Sequence, residues 1–163
     1  MSNSKLAISK KQRTQKTSHG LNDFSHTLPI RLLRARQAAI SQFRPIYQQY
    51  DVTEQQWRVL RMVTSSDSLT VGDLSRAVFI SMPSLSRIMT SLEKRKLIRR
   101  KADKRDLRKM KVSATSAGQA MVTEAALWSD ARYDDIARGF GKKRLKELQI
   151  LLDDLAQILN AHQ

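Results

Sequence analysis

Two short helical segments follow one another so closely that only a tight turn fits between them. The first segment begins at Thr70 and the second at Ser81, and both residue types cap helix N-termini. Pro83 lies in the first turn of the second segment, where its missing N–H costs nothing. Apolar residues recur at helical spacing, as Val71, Leu74, Ala77 and Val78 in the first segment and Met82, Leu85, Ile88, Met89 and Leu92 in the second. Two short helices joined in this way predict a helix-turn-helix.

The second helix of this pair leaves a short-chained, hydroxyl-rich surface on its outer faces. Surface helices more often use Glu, Lys and Gln, because Ser and Thr weaken a helix. A helix that enters the DNA major groove needs small side chains for close approach and an arginine that can bind both acceptors of a guanine. An ordinary surface helix that happens to be rich in serine is the alternative. We expect DNA contacts from Ser81, Pro83, Ser84, Ser86, Arg87 and Thr90, and from Thr70 at the start of the first helix.

A basic hairpin is predicted after this helix pair. Leu97–Arg100 and Met110–Val112 are predicted as two strands, with residues 102–108 as the loop between them. Arg105 at the tip, with Lys104 beside it, is expected to reach a minor groove, whose negative potential attracts arginine. The residues expected to bind phosphates, which position a protein without reading sequence, are Lys101, Arg108 and Lys109.

Positive charge is concentrated in and around this hairpin. Residues 93–111 contain eleven Lys and Arg against three acidic residues, whereas residues 112–163 contain six against seven. A solvated charge run is the ordinary interpretation of a single lysine cluster, but a net charge of +15 on the chain favours a polyanionic partner. Asp103 and Asp106 do not suit a DNA contact, and we expect them to pair with neighbouring arginines and fix the loop.

Two further helices are predicted ahead of the pair. The first runs from Leu28 to about Tyr50, and Pro45 should kink or fray its last turn. The second begins at Thr53, which is spaced to form a capping box with Gln56. Residues 1–21 are polar and basic, with almost nothing to bury, and predict a flexible arm.

Two more helices are predicted after the hairpin. Thr115 should cap a long helix that runs to about Phe140, and Gly139 and Gly141 mark a break. The final helix carries leucines at a spacing of three and four, which suits a dimer seam and an intramolecular bundle equally well. Palindromic DNA favours the dimer, because two-fold protein symmetry must meet two-fold DNA symmetry.

The predicted fold is therefore mainly α: a winged helix-turn-helix with a small β-hairpin wing and helices from both chain ends. We divide the chain into the arm, residues 1–21; a first helical region, residues 22–50; the winged helix-turn-helix, residues 51–113; and the C-terminal helices, residues 114–163.

Residues 53–117 resemble the MarR family of winged-helix regulators. The matching stretches are TEQQWRVLRMV, LTVGDLSRAVFISMPSLSRIMTSLEKRKLI, the DxRDxR pattern at Asp103, Arg105, Asp106 and Arg108, and the helix start TSAGQ. With the flanking helices, the resemblance covers about residues 25–162. It implies a helical dimerisation region from both chain ends, in which the first helix, within residues 22–50, and the last two helices, within residues 114–163, form a homodimer. It also implies an inverted-repeat operator in double-stranded DNA and release by a small aromatic effector. Lys96 departs from the family, which often has Gly at this turn into the wing.

The segment LPIRLLRARQAAISQFRPIYQQYDVTEQQWRVLR is most similar to family members that repress aromatic-acid degradation. That similarity implies an effector such as hydroxyphenylacetate or homoprotocatechuate. An arginine at the edge of an apolar cleft suits a carboxylate, because its fork binds both oxygens, while a tryptophan offers a ring face and a histidine can meet a phenol. A core tryptophan and ion-paired or snorkelling arginines are the open alternatives. The candidate effector residues are His26, Arg34, Trp57, Arg58 and Arg61.

Little in the sequence suits an enzyme. The three histidines are scattered, and motifs such as GxSxG, HExxH and Gly-rich phosphate loops are missing. We therefore predict neither a cofactor nor a metal. Because no stretch approaches the roughly 20 apolar residues of a membrane span and no secretory signal is evident, we expect a cytoplasmic protein. A sequence-indifferent architectural DNA- or RNA-binding protein is the remaining alternative, although the basic region contains few aromatics for stacking.

Overall fold

A computed structural model describes residues 24–103, 106 and 108–161. These residues form seven α-helices and a three-stranded sheet, which confirms the predicted winged-helix architecture. In order, they are α1 (Leu28–Ser41), α2 (Arg44–Gln49), α3 (Glu54–Thr64), β1 (Leu69–Thr70), α4 (Val71–Val78), α5 (Met82–Lys94), β2 (Ile98–Ala102), β3 (Met110–Ala114), α6 (Ser116–Phe140) and α7 (Lys142–Asn160). The predicted arm, residues 1–21, lies outside the described residues, as do Lys104 and Arg105 of the predicted hairpin tip.

The chain divides into two compact units, residues 1–41 and residues 42–163. The described part of the first unit consists of a short 3-10 turn, Phe24–His26, followed by α1. The second unit contains all the other helices and the sheet.

The single helix predicted from Leu28 to about Tyr50 is interrupted. It ends at Ser41, and α2 starts afresh with Pro45 in its first turn, where proline needs no hydrogen-bond partner. Ile46 is buried, and Phe43 packs against the same core. Residues 42–50 belong to the second unit because these side chains pack in its core, and Pro45 begins a helix here instead of fraying one.

Side-chain caps fix where α3, α4 and α6 begin, as the sequence predicted, whereas Ser81 occupies the N-cap position of α5 without a side-chain cap hydrogen bond. Thr53 accepts a hydrogen bond from the Gln56 backbone N–H at 3.1 Å, and the Gln56 side chain accepts one from the Thr53 backbone N–H at 2.8 Å. Thr70 accepts from the Asp73 N–H, and Thr115 accepts from the Gly118 N–H, both at 3.1 Å. Each contact satisfies a donor that the first helical turn leaves without a partner.

The wing is an antiparallel hairpin of β2 and β3. Ile98 pairs with Ala114 and Ala102 pairs with Met110, so both strands are slightly longer than predicted. The short strand β1, which the sequence did not predict, adds to the other side of β3. Pairing with β1 ties the wing to the start of α4.

The core lies between α3, α4, α5 and the sheet. Its fully buried large side chains are Leu60, Leu74, Leu85, Leu92, Ile98, Val59, Val63, Val78 and Val112. Two residues that the periodicity placed inside are exposed: Ala77, and Met82 in the first turn of α5. The first turn projects beyond the core, so its apolar residue gains no packing partner there.

Helices α1 and α7 bury none of their residues within the described chain. Apolar side chains are instead left in solvent, among them Leu33 of α1 and Leu151 and Ile158 of α7. Amphipathic helices gain most of their stability from packing, so these surfaces lack the contacts that would stabilise them. No helix among the described residues has both the length and the apolar character needed to cross a membrane.

Candidate nucleic-acid interface

Helix α5 presents one buried and one exposed face. The buried stripe consists of Leu85, Ile88, Met89 and Leu92. All six residues predicted as DNA contacts on this helix and its cap are exposed: Ser81, Pro83, Ser84, Ser86, Arg87 and Thr90. Two of the hydroxyls donate hydrogen bonds to nearby residues of the same segment: Ser81 donates to the Ser84 hydroxyl at 3.2 Å, and Thr90 donates to the Ser86 carbonyl at 3.0 Å. Because these side chains are short, the exposed face is lined with small polar groups close to the helix backbone, and another surface can approach it closely.

Arg87 is the long side chain on this exposed face. Its guanidinium makes no hydrogen bond or ion pair with any residue that the structure describes. The other described arginines of this region all have partners: Arg76 with Asp73, Arg95 with the Tyr50 and Asp51 carbonyls, Arg99 with Ser113, Arg100 with Glu93, and Arg108 with Asp106. The Arg87 fork therefore remains open to a ligand.

Thr70, a predicted DNA contact, makes hydrogen bonds within the protein. Besides capping α4, its hydroxyl donates to the Asp73 carboxylate at 2.6 Å. This hydrogen bond is the main reason that the pKa of Asp73 lies below its usual value. Both functions of the hydroxyl are thus used inside the protein.

The described part of the wing is held by its two aspartates. Asp106 pairs with Arg108 at 3.1 Å, as predicted, and the hydrogen bond from Arg108 lowers the pKa of Asp106. Asp103 is buried and contacts the Lys111 ammonium at 3.0 Å across the hairpin. The carboxylates fix the shape of the loop, while Lys101, Arg108 and Lys109 remain exposed.

One ion pair joins α5 to the wing. The Arg100 Nε of β2 donates to the Glu93 carboxylate of α5 at 2.9 Å, and the Arg100 backbone N–H donates to the same carboxylate at 3.2 Å. These hydrogen bonds hold the pKa of Glu93 below its usual value. The pair fixes the direction of the hairpin relative to the exposed face of α5.

A cleft of about 680 Å³ opens elsewhere in the second unit, between α2, α3 and α6. Its lining combines aromatic rings with two cations and one carboxylate. The principal residues are Phe43, Tyr47, Glu54, Trp57, Arg58, Arg61, Gln119 and Tyr133. The rings of Phe43 and Tyr133 lie 4.9 Å apart, and those of Tyr47 and Trp57 lie 6.5 Å apart. A lining of this composition suits a flat aromatic ligand that carries a negative charge.

Three of the five predicted effector residues line this cleft. Trp57 both lines the cleft and is buried in the core. Arg58 lies 3.3 Å from Glu54, whereas the guanidinium of Arg61 makes no ion pair with the described residues. His26 and Arg34 belong to the first unit, where Arg34 is exposed and His26 contacts Arg31 at 3.1 Å.

Sequence reasoning missed several lining residues, above all the aromatic ones. Phe43 and Tyr47 were treated as part of a dimerisation helix, and Tyr133 lies about two-thirds of the way along a long helix. Spacing along the chain gives no signal that they meet. Among the described residues, no group of three or more His, Asp or Glu is placed to hold a metal ion.

Comparison with known proteins assigns this arrangement to a family. Residues 50–109 match the model of the MarR family. The chain is 36% identical over 137 residues to the homoprotocatechuate degradative operon repressor of Escherichia coli, covering 84% of this chain and 93% of that protein. It is 37% identical over 135 residues to the HTH-type transcriptional regulator FarR of Neisseria gonorrhoeae, covering 83% and 92%. The structure of NadR in complex with 4-hydroxyphenylacetate is 34% identical, with a TM-score of 0.76, and covers 84% of this chain and 100% of that chain.

Proposed function

We propose that this chain, which belongs to the MarR family, is a dimeric transcriptional repressor that binds an inverted-repeat operator and is released by a small aromatic carboxylate. The relatives are transcriptional regulators, not enzymes, and two are named as operon repressors. The observation that carries the proposal is the exposed face of α5, where small hydroxyl residues surround the open fork of Arg87.

The chemistry of this face supports major-groove recognition. Small side chains let the helix approach the base edges, and Arg87 can donate two hydrogen bonds to the O6 and N7 of one guanine. Lys101, Arg108 and Lys109 on the wing supply phosphate contacts, which set the register of the helix on the duplex. The same wing carries the predicted minor-groove residues Lys104 and Arg105.

A dimer follows from the surfaces of α1, α6 and α7. Their exposed apolar side chains gain packing partners when two copies associate. A two-fold dimer presents two α5 helices, and each can enter one of two successive major grooves. We therefore propose that the dimerisation regions lie at both chain ends, within residues 22–50 and 114–163.

Selection of bound duplexes from a random pool tests the DNA-binding part of the proposal. We expect an inverted repeat to emerge and to bind the full chain at least a hundredfold more tightly than random duplex. Arg87→Ala should lose roughly 1–3 kcal/mol of discrimination at one base pair in each half-site. The matched control is Arg138→Ala, which removes an exposed arginine of α6.

Two outcomes would contradict this part. Equal affinity for every duplex would favour a sequence-indifferent architectural or RNA-binding protein. Uniform weakening of Arg87→Ala across all sequences would make Arg87 a phosphate contact.

The cleft supports the effector. NadR was solved with 4-hydroxyphenylacetate, and one relative is named for an operon of homoprotocatechuate degradation. Both compounds join an aromatic ring to a carboxylate and a phenol. In this chain Arg61 is available to bind the carboxylate, Trp57 offers a ring face, and Arg58 is oriented by Glu54. His26 and Arg34 remain proposed contributors from the first unit.

Calorimetry with 4-hydroxyphenylacetate, homoprotocatechuate and 4-ethylphenol tests the effector. The two acids should bind and weaken operator binding, whereas 4-ethylphenol, which lacks the carboxylate, should not. Arg61→Ala should reduce affinity for the acids by tenfold or more, because a charge-assisted bidentate contact is lost. If neither acid gives heat at millimolar concentration, the effector proposal fails while the operator proposal stands.

A further inference from the structure

The turn between α4 and α5 holds an aromatic side chain almost entirely in solvent. Phe79 is 87% exposed, more than any other large apolar residue in the described chain. Its backbone is left-handed, with φ +50°, a conformation that is rare and strained for a bulky residue. Phe79 therefore combines two unfavourable features at one position.

Local geometry explains the backbone but not the choice of side chain. The Phe79 N–H donates to the Arg76 carbonyl and the Ile80 N–H donates to the Ser75 carbonyl, both at 3.3 Å. These paired bonds form a Schellman ending, in which glycine is the usual left-handed residue. Ile80 turns into the core, 6% exposed, while Phe79 is directed outward. Glycine would make the same turn without strain and without an exposed ring.

The position of Phe79 separates it from the other exposed apolar residues. Most of these lie on α1, α6 and α7, where a dimer would cover them. Within residues 51–113, the exposed large apolar residues that the structure describes are Phe79, Met82 and Met110. Phe79 lies two residues before Ser81, the N-cap of α5, and Met82 lies one residue after it, so this apolar surface lies at the N-terminal end of the helix that carries Arg87.

We propose that Phe79 packs against the C5-methyl group of a thymine in the major groove and so reads one base pair in each half-site. The inference rests on the proposed function, in which the N-terminal end of α5 enters that groove. The thymine methyl is the apolar group that base pairs expose in the major groove, and phenylalanine is among the residues that contact it. Strain at an exposed residue is accounted for when the residue acts in binding.

Replacing thymine by deoxyuridine tests the inference, because this change removes the methyl group and keeps every hydrogen-bonding group. The probe is a fluorescein-labelled duplex of the selected operator, with one thymine replaced at a time in both half-sites. For each thymine methyl that Phe79 covers, wild type should lose about fourfold in affinity, as expected for re-exposing one methyl-sized group. Replacing the corresponding thymine in both half-sites should therefore reduce the affinity about 15-fold. Phe79→Ala should bind the thymine and deoxyuridine operators equally well.

Two further variants keep the test interpretable. Phe79→Gly removes both the ring and the strain, so it should be at least as stable to heat as wild type yet insensitive to the methyl. Phe79→Leu should retain part of the sensitivity, because it keeps an apolar side chain.

The outcomes separate this inference from the proposed function. If wild type selects an operator but is sensitive to no thymine methyl, the inference is wrong and operator recognition stands. If wild type is sensitive to a thymine methyl and Phe79→Ala keeps the full sensitivity, another residue contacts that methyl and the inference is also wrong. Phe79 would then be available for contact with another protein. If no operator can be selected, both proposals fall.

Discussion

Among the residues that the structure describes, three non-glycine residues have left-handed backbone, and each lies just after a helix. Asp51 follows α2, Phe79 follows α4, and Lys96 follows α5. Aspartate tolerates this conformation, but the longer side chains do so at a cost. At Lys96 the turn is fixed by Thr115, whose hydroxyl donates to the Lys96 carbonyl at 2.6 Å. The surrounding structure requires a left-handed turn at this position, and Lys96 adopts that conformation.

Lys96→Gly should stabilise the protein by roughly 0.5–1 kcal/mol, because glycine adopts the left-handed turn without strain. Urea unfolding of both proteins measures the difference. The matched control is Lys94→Gly, two residues earlier in the last helical turn, where glycine should lower stability. If Lys94→Gly is more stable than wild type and Lys96→Gly is less stable, backbone strain at residue 96 does not determine the change in the free energy of unfolding.

At the scale of elements, the first turn of α6 packs against Leu97, the residue just before strand β2 of the wing. A Cβ added to Gly118 would lie 2.1 Å from the Leu97 carbonyl oxygen and 3.2 Å from Leu60. The backbone N–H of Thr115, the N-cap of α6, also donates to the Leu97 carbonyl at 3.1 Å. The glycine is therefore required by close approach of two backbones, and it sets the spacing between α6 and β2.

Gly118→Ala should destabilise the protein by roughly 1–3 kcal/mol or more, because the backbone must shift to admit the methyl group. Gly139→Ala is the control within the same helix, since nothing lies within 4 Å of the added Cβ. That change should stabilise the protein by up to about 1 kcal/mol, as alanine is the better helix former. Thermal unfolding of the two variants should thus shift in opposite directions, and equal shifts would refute the close-approach argument.

The ion pair between α5 and the wing makes stability depend on pH. Because hydrogen bonds from Arg100 lower the folded-state pKa of Glu93, the pair stabilises the protein above the usual pKa of 4.5, and this contribution is lost as the pH falls through the lower folded value. Glu93→Gln should remove that part of the pH dependence. Arg100→Gln should remove the larger share of it, which comes from the side-chain hydrogen bonds, and should keep the share that comes from the backbone N–H of residue 100. Urea unfolding between pH 3 and pH 7 measures it; a steeper decline in either variant than in wild type would contradict the assignment.

At the scale of the whole molecule, the described chain leaves much of its apolar surface uncovered. Leu151 of α7 is 64% exposed and Trp128 of α6 is 60% exposed. Exposed apolar area of this kind marks an interface, and the proposed two-fold dimer accounts for it. DNA binding and assembly should then depend on each other, because one subunit offers a single α5.

Leu151→Glu should weaken dimerisation by inserting a charge into an apolar seam, and operator affinity should fall with it. Sedimentation velocity at micromolar concentration measures the assembly, and fluorescence anisotropy measures the binding. Gln149→Glu adds the same charge two residues away, on the opposite side of α7, and should leave both unchanged. A monomeric wild-type protein with full operator affinity would refute the dimer.

The sequence by itself determined the local elements, because caps and periodicity act over three or four residues. Thr53, Thr70 and Thr115 set the helix starts, the stripe of α5 fixed which face is buried, and the family signature located the wing. Only the tertiary structure decided which distant residues meet. Tyr133 reaches Phe43, Gly118 reaches Leu97, and β1 joins β3 through contacts between residues far apart in the chain. Such contacts depend on how whole elements pack, and no local pattern encodes that packing.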